Sequence, residues 1–300
     1  MKPFSYAEAL QWASEHCPQH EGNNPRMDAE ILLSHLLDKP RSHIYAWPDR
    51  QLTTIQHQQY VGLVEKRRAG MPIAYITGTR EFWSLTFKVN PSVLIPRPDT
   101  EVLVEQALKL IPADSNGLIA DLGAGSGAIA AAIGLERPKT KVIAVDNSAA
   151  ALATARENFL DLGAANVEAR PGSWCDTFKP GEQFRLIVSN PPYIPASDPH
   201  LQQSDLRSEP PTALAAGADG LDAIREICLC APKWLCTGGY LMFEHGLDQG
   251  EAVRELLLQA GLKKPETKKD LENRDRSFPQ LPLRFLPLLL LRQAPKSRLL

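Results

Sequence analysis

Up to about residue 80 the apolar positions keep a helical period, and no stretch alternates as a strand would. Ser5-Tyr6-Ala7-Glu8 has capping-box spacing, in which a hydroxyl and a carboxylate each take a free backbone N–H. It predicts a helix running through His16. Ala29, Ile31, Leu32, Leu36 and Leu37 form a helical stripe across 27–38, and a further helix is predicted from about Thr54 to Arg68. Residues 1–78 therefore read as a small helical domain. From Phe82 to Val89 the period drops to two, with Leu85, Phe87 and Val89 on one face. Asn90-Pro91-Ser92 reads as a turn and Val93-Leu94-Ile95 as the returning strand, which makes 79–97 a β-hairpin linker. From 98 to 276 short apolar runs alternate with helical ones, implying βαβ units around a mostly parallel sheet. Glu251–Ala260 is a late surface helix. The lysines that follow it, at 263, 264, 268 and 269, read as a solvated face.

Two of the strand ends carry candidate chemistry. Leu118-Ile119-Ala120-Asp121-Leu122 runs into Gly123-Ala124-Gly125-Ser126-Gly127, and a helix-compatible run starts at Ala128. Alternate glycines let backbone approach a ligand and take φ > 0, although a loose G-x-G-x-x-G/A match alone is a weak signal. The next strand, Lys141–Asp146, ends in an acid suited to a ribose diol; equally, that acid is a solvated strand end or a helix cap. The apolar run Phe184–Ser189 stops in Asn190-Pro191-Pro192-Tyr193. The prolines fix φ and cannot continue the ladder, so the Asn190 side chain and the Pro191 carbonyl are held side by side. Two such oxygens suit the two hydrogens of a planar –NH2 group.

As a set, these motifs resemble class I methyltransferases that use S-adenosylmethionine and methylate a nitrogen on a planar group. Arg80-Glu81-Phe82-Trp83-Ser84-Leu85, Leu94-Ile95-Pro96-Arg97-Pro98-Asp99-Thr100-Glu101, Pro72–Gly78, Asp198-Pro199-His200-Leu201, Glu209-Pro210 and Glu244-His245-Gly246 narrow the resemblance. They point to the bacterial family that methylates glutamine in peptide chain release factors, over about residues 5 to 276. The resemblance implies a Rossmann-like α/β methyltransferase sheet behind the small helical domain. It also implies N5 methylation of the glutamine in a Gly-Gly-Gln loop, with S-adenosylhomocysteine as the other product and no metal. Asn190, Pro191, Pro192 and Tyr193 would then hold the substrate, with Asn190, Pro191 and Tyr193 catalytic. Gly123, Ala124, Gly125, Ser126, Gly127, Asp146, Trp174 and Asn190 would hold the cofactor, braced by Arg97 and Thr100. The family's acid before that tryptophan is replaced here by Ser173. The alternatives are a ribosomal-protein glutamine methyltransferase and an amino-methyltransferase of DNA or RNA bases. A module that only binds is disfavoured by the intact glycines, Asp146 and Asn190.

Composition adjusts this only slightly. A net charge of −2 over 300 residues gives no basic footprint for nucleic acid, and 43% hydrophobic residues suffice for a sizeable core. The start, Met1-Lys2-Pro3, lacks a signal-like apolar core, and the apolar run Leu288–Leu291 is too short to span a bilayer. A cytoplasmic monomer acting on release factors, without membrane or nucleic acid, is expected. Five irregularly spaced cysteines argue against a disulfide framework, and Cys228, Cys230 and Cys236 read as buried free thiols rather than a metal site. His245 reads as structural. After Arg276 the resemblance fails: the family ends on a short β-branched strand inserted antiparallel into the sheet, whereas here Pro279, Pro282 and Pro287 interrupt the segment. The expectation is that 277–300 does not form that strand and leaves the sheet underpaired.

Overall fold

The computed structural model describes residues 3–19, 24–202, 204–268 and 288–292, and the described chain divides into two units. One gathers the residues up to Thr79 with Gln202–Ser208; the other holds Arg80–Leu201 and Glu209 onward.

In the first unit the capping box forms as its spacing requires. Glu8 N donates to Ser5 Oγ, Ser5 N donates to Glu8 Oε2, and helix α1 runs Tyr6–His16. Helices α2 (Pro25–Leu37), α3 (Arg41–Ala46), α4 (Thr54–Arg68) and α5 (Ile73–Thr77) follow. Their apolar faces close a core that includes Leu10, Leu32, Leu33, Tyr60 and Val64. Arg67 is buried in this unit and held by two carboxylates, Asp28 at 2.7 Å and Asp205 at 2.7 Å, which ties the Gln202–Ser208 segment to the helices.

The hairpin in the second unit differs from the expected one. Strands β1 (Thr79–Phe82) and β2 (Leu85–Lys88) turn at Trp83-Ser84, both at positive φ (54° and 56°). Val93–Ile95 is not a strand, although Asn90–Val93 does turn, with Val93 N donating to Asn90 O. Two non-glycine residues in left-handed backbone carry no turn signature in the sequence. Trp83 is fixed instead by its N–H to Glu101 and its indole N–H to Glu136.

The sheet is built as the alternation predicts. In chain order the elements are α6 (Thr100–Leu110), β3 (Leu118–Leu122), α7 (Ala128–Glu136), β4 (Lys141–Asp146), α8 (Ala149–Leu162), β5 (Val167–Pro171), β6 (Phe184–Ser189), α9 (Asp222–Cys230), β7 (Leu235–Glu244), α10 (Gly250–Gln259), β8 (Lys263–Lys268) and β9 (Leu288–Arg292). The spatial order is β5-β4-β3-β6-β7-β9-β8, and the first five strands are parallel. Helix α7 is buried from Ala128 to Gly134, and its alanines let it lie close against the apolar strands.

The expectation for the tail is overturned in part. Leu288–Arg292 enters antiparallel between β7 and β8, with Leu290 opposite Met242 on one side and Glu266 on the other. All three prolines precede this segment, so each of its residues keeps the N–H that a central strand needs. The sheet beside β7 is therefore paired. The rest of the tail, 277–287 and 293–300, lies outside the described residues, as do the side chains of the strand. Lys263 and Lys264 are exposed, as expected of a solvated run, but they sit on β8, the last strand of the sheet, where lysine discourages further pairing. No helix among the described residues is long and apolar enough to cross a membrane.

Candidate active site

Parallel strands present all their carboxyl ends at one edge of the sheet, and there the candidate residues collect. The end of β3 gives the glycine loop, β4 gives Asp146, β5 leads to Gly172-Ser173-Trp174, β6 gives Asn190 and β7 gives Glu244. Gly123, Gly125 and Gly127 all take positive φ (73°, 54° and 80°). A Cβ on Gly125 would meet no atom of the described residues within 4 Å, so the loop leaves open space among them on that side. Gly127 has a different duty. It is the N-cap of α7, and a Cβ there would lie 2.4 Å from the Phe159 ring. Asn158 supports the loop from below, donating to Ser126 O at 2.8 Å.

A cavity of about 290 Å³ opens over the loop, lined among others by Gly123, Gly125, Asp146, Trp174, Asn190 and Pro192. Ala124, Ser126, Ser173, Arg97 and Thr100 also reach it. Gly127 does not. Pro191 and Tyr193 do not line it either; with Asn190 and Pro192 they border a second, smaller cavity. Asp146 does more than face the cavity: Oδ2 accepts from Gly125 N at 2.8 Å and Oδ1 from Ser148 N at 2.8 Å. It therefore fixes the glycine loop and the turn into α8 at once. Trp174 stands at positive φ (50°) with its indole N–H on Glu226 Oε2 at 2.6 Å.

The next residue corrects an expectation. Cys175 is bonded to Cys230 at the end of α9, with the Cα atoms 5.9 Å apart. These two are not free thiols. Fifty-five residues separate them, and only the approach of α9 to the loop after β5 brings them together. Among the described residues Cys17, Cys228 and Cys236 are free. Burial pushes the thiols of Cys17 and Cys228 up to about 11 and about 12, which keeps them protonated and unreactive.

Around Asn190 the hydrogen bonds run in one direction. Asn190 Nδ2 donates to Thr100 Oγ1 at 3.1 Å, and Thr100 Oγ1 donates to Glu244 Oε2 at 2.8 Å. Tyr193 Oη donates to Glu244 Oε1 at 3.3 Å, while Gln249 Nε2 holds the Tyr193 carbonyl at 2.9 Å. Arg97 pairs with the buried Glu209, whose other oxygen accepts from Ile95 N at 3.2 Å. The family resemblance named Arg97 and Thr100 as braces of the cofactor pocket; Thr100 also contacts Asn190 itself. Glu209, Glu226 and Glu244 were not singled out as site residues. Glu244 carried a usable signal, because it is the polar end of an apolar run, as Asp146 and Asn190 are.

Two carboxyls here are shifted upward. Burial pushes Asp121 up to about 7; one oxygen accepts from Ala130 N at 3.1 Å and the other has no hydrogen-bond partner among the described residues. Burial likewise raises Glu244 to about 7. His245 is buried, and burial lowers its pKa and so favours the neutral ring, with Nδ1 at 2.8 Å from Gly246 O.

Known proteins resemble this chain over most of its length. Residues 8–78 match the model of the PrmC N-terminal domain and 98–204 that of the methyltransferase small domain. A release factor glutamine methyltransferase of Xylella fastidiosa is 51% identical over 251 residues, covering 84% of this chain and 91% of that protein. One of Escherichia coli is 46% identical over 270 residues, covering 90% and 97%. Among solved structures, a T. thermophilus 16S rRNA N2 G1207 methyltransferase in complex with AdoMet and guanosine matches with a TM-score of 0.51. It is 16% identical and covers 72% of this chain and 49% of that one, a likeness of fold alone.

Proposed function

The chain belongs to the release factor glutamine methyltransferase family, and from that premise we propose that it methylates the side-chain amide of the Gly-Gly-Gln glutamine by gripping it between Asn190 Oδ1 and the Pro191 carbonyl. The observation that carries the assignment of the grip is the Asn190–Thr100 hydrogen bond. It commits the nitrogen end of the Asn190 amide and leaves its oxygen to accept.

An amide nitrogen is a poor nucleophile because its lone pair is delocalised into the carbonyl. S-adenosylmethionine, when bound, supplies a methyl already activated by the sulfonium. The rest falls to the protein. Asn190 and Pro191 accept both hydrogens of the acceptor –NH2, which orients the nitrogen and stabilises positive charge as it grows there. Orientation of this kind can recover on the order of 7–11 kcal/mol of barrier. Tyr193 is buried and bonded to Glu244, which stiffens the turn; its ring is the face against which the acceptor amide would pack.

The residues fit the cofactor. Open space at Gly125 admits a ligand against the backbone, Asp146 presents a carboxylate to a ribose diol, and Trp174 flanks the adenine end of the same cavity. Ser173 offers a hydroxyl where the family has an acid. The reading needs neither a metal nor a nucleic acid. It casts residues 1–78 as the part that docks the release factor, and the protein as a cytoplasmic monomer. The test is incubation with labelled S-adenosylmethionine and a release factor, a free glutamine peptide or DNA, followed by mass spectrometry. Label on the glutamine nitrogen of the release factor is expected. Label on DNA bases alone would refute the reading.

A further inference from the structure

We propose that Glu244 is a positioning residue that sets the polarity of the Asn190 grip through the hydroxyl of Thr100. The proposal rests on the assignment of Asn190 as the acceptor clamp.

An asparagine amide has an accepting end and a donating end of nearly the same shape. A grip on an –NH2 group works only with the oxygen forward, since with the nitrogen forward donor faces donor. Something must therefore choose between the two orientations. The neighbour that chooses is Thr100 Oγ1, the only hydrogen-bond partner of the Asn190 side chain among the described residues, at 3.1 Å. A hydroxyl has one hydrogen. In the structure it goes to Glu244 Oε2 at 2.8 Å, so the oxygen turns its lone pairs to Asn190 and accepts only Nδ2. Thr100 and Glu244 are both buried, at 4% and 5% exposure, which denies the hydroxyl a solvent alternative. An ionised Glu244 has no proton to give, so the direction of the chain is forced from Asn190 to Thr100 to Glu244. A protonated Glu244 can donate to Thr100. That frees the threonine hydrogen to bond Asn190 Oδ1 and lets the amide stand reversed, nitrogen forward.

The groups facing Glu244 are Thr100 from α6, Tyr193 from the turn after β6, and Arg97 and Asp99 from the segment before α6; His245, its neighbour in sequence, favours the neutral ring. Arg97 is engaged with Glu209. Burial first and Asp99 with it raise the Glu244 carboxyl, the Thr100 and Tyr193 hydrogen bonds and Arg97 lower it, and the balance leaves it at about 7. The orientation of the grip thus changes in the neutral range, although neither the acceptor amide nor the sulfonium titrates there.

The experiment is the single-turnover rate of methyl transfer to release factor at saturating S-adenosylmethionine, from about pH 5.5 to 8.5. Cofactor Kd and melting temperature are measured in parallel. The parent should fall about tenfold per pH unit on the acid side of a midpoint near 7, as one required deprotonation dictates. Glu244→Gln should flatten that limb. At alkaline pH it should be slower by about tenfold, the loss of one forced hydrogen bond, with cofactor Kd held within a few-fold. If Glu244→Gln does not fold, Thr100→Val and Thr100→Ser decide. The valine variant should lose the limb, and the serine variant, which restores a hydroxyl, should keep it. An unchanged acid limb in Glu244→Gln and Thr100→Val would overturn the proposal, as would a Glu244→Gln defect confined to melting temperature or cofactor Kd. Asn190→Ala separates the two readings: if it transfers normally, the grip itself is wrong. If it is inactive while Glu244→Gln and Thr100→Val keep the parent's limb, only the polarity relay is wrong.

Discussion

Asp146→Asn changes one atom type and should weaken the cofactor site sharply, because both carboxylate oxygens have fixed duties. Oδ2 takes the N–H of Gly125 and Oδ1 that of Ser148, each at 2.8 Å. Asparagine has one acceptor oxygen, so its –NH2 must face one of those two backbone donors. Either the glycine loop or the entry to α8 then loses its tie. A hydrogen bond to a charged group contributes about 1.5–3 kcal/mol, which corresponds to a Kd roughly 10- to 150-fold weaker if the loop opens. Loss of the charged partner for the ribose diol adds to this and places the variant toward the upper end. The assay is isothermal titration calorimetry with S-adenosylmethionine and S-adenosylhomocysteine, alongside urea unfolding to show that the variant is folded. Affinities within about threefold of the parent, less than 1 kcal/mol, would refute the placement of the cofactor on this loop.

Other outcomes follow from the same contacts. Leu290→Pro should lower the unfolding free energy by about 1–3 kcal/mol in urea, because Leu290 lies between Met242 and Glu266 and proline cannot donate to the ladder; an unchanged midpoint would show that β9 contributes nothing. Asp121 is raised to about 7 in the fold from an ordinary 3.8, so its stabilising contribution is complete below about pH 4 and is lost as pH rises toward 7. Asp121→Asn should therefore gain on the parent by roughly 1 kcal/mol per pH unit between 5 and 7, and a constant difference across that range would contradict the burial argument. Removing residues 1–78 should leave cofactor binding intact and abolish transfer to intact release factor; equal activity on intact factor would rule out a docking role.

Much of this was legible because local signals were strong. The Ser5–Glu8 box and the helix predicted over Thr54–Arg68 matched the helix ends, and the rule that ligands gather at strand carboxyl ends placed the glycine loop, Asp146 and Asn190 together. What stayed hidden depends on meetings across long separations or on backbone that no residue type announces. Trp83-Ser84 turns through left-handed φ without a glycine, so the hairpin was displaced to Asn90. Cys175 and Cys230 meet only because α9 packs beside the loop after β5. The tail was judged by its prolines, and the proline-free stretch after them is the part that enters the sheet. Glu244 and Thr100, 144 residues apart, join at 2.8 Å by the arrangement of β7 and α6, which spacing could not show.

The central claim is that Asn190 grips the acceptor amide, and that its expected share in holding the cofactor is small beside that of the glycine loop and Asp146. Its most direct test is Asn190→Ala, with single-turnover methyl transfer to release factor followed by mass spectrometry and S-adenosylmethionine affinity measured on the same preparation. The account predicts that the parent places one methyl on the glutamine side-chain nitrogen. In the variant, transfer should be abolished while cofactor Kd stays within a few-fold. Near-normal turnover in the variant, or a loss explained entirely by weakened cofactor binding, would contradict it.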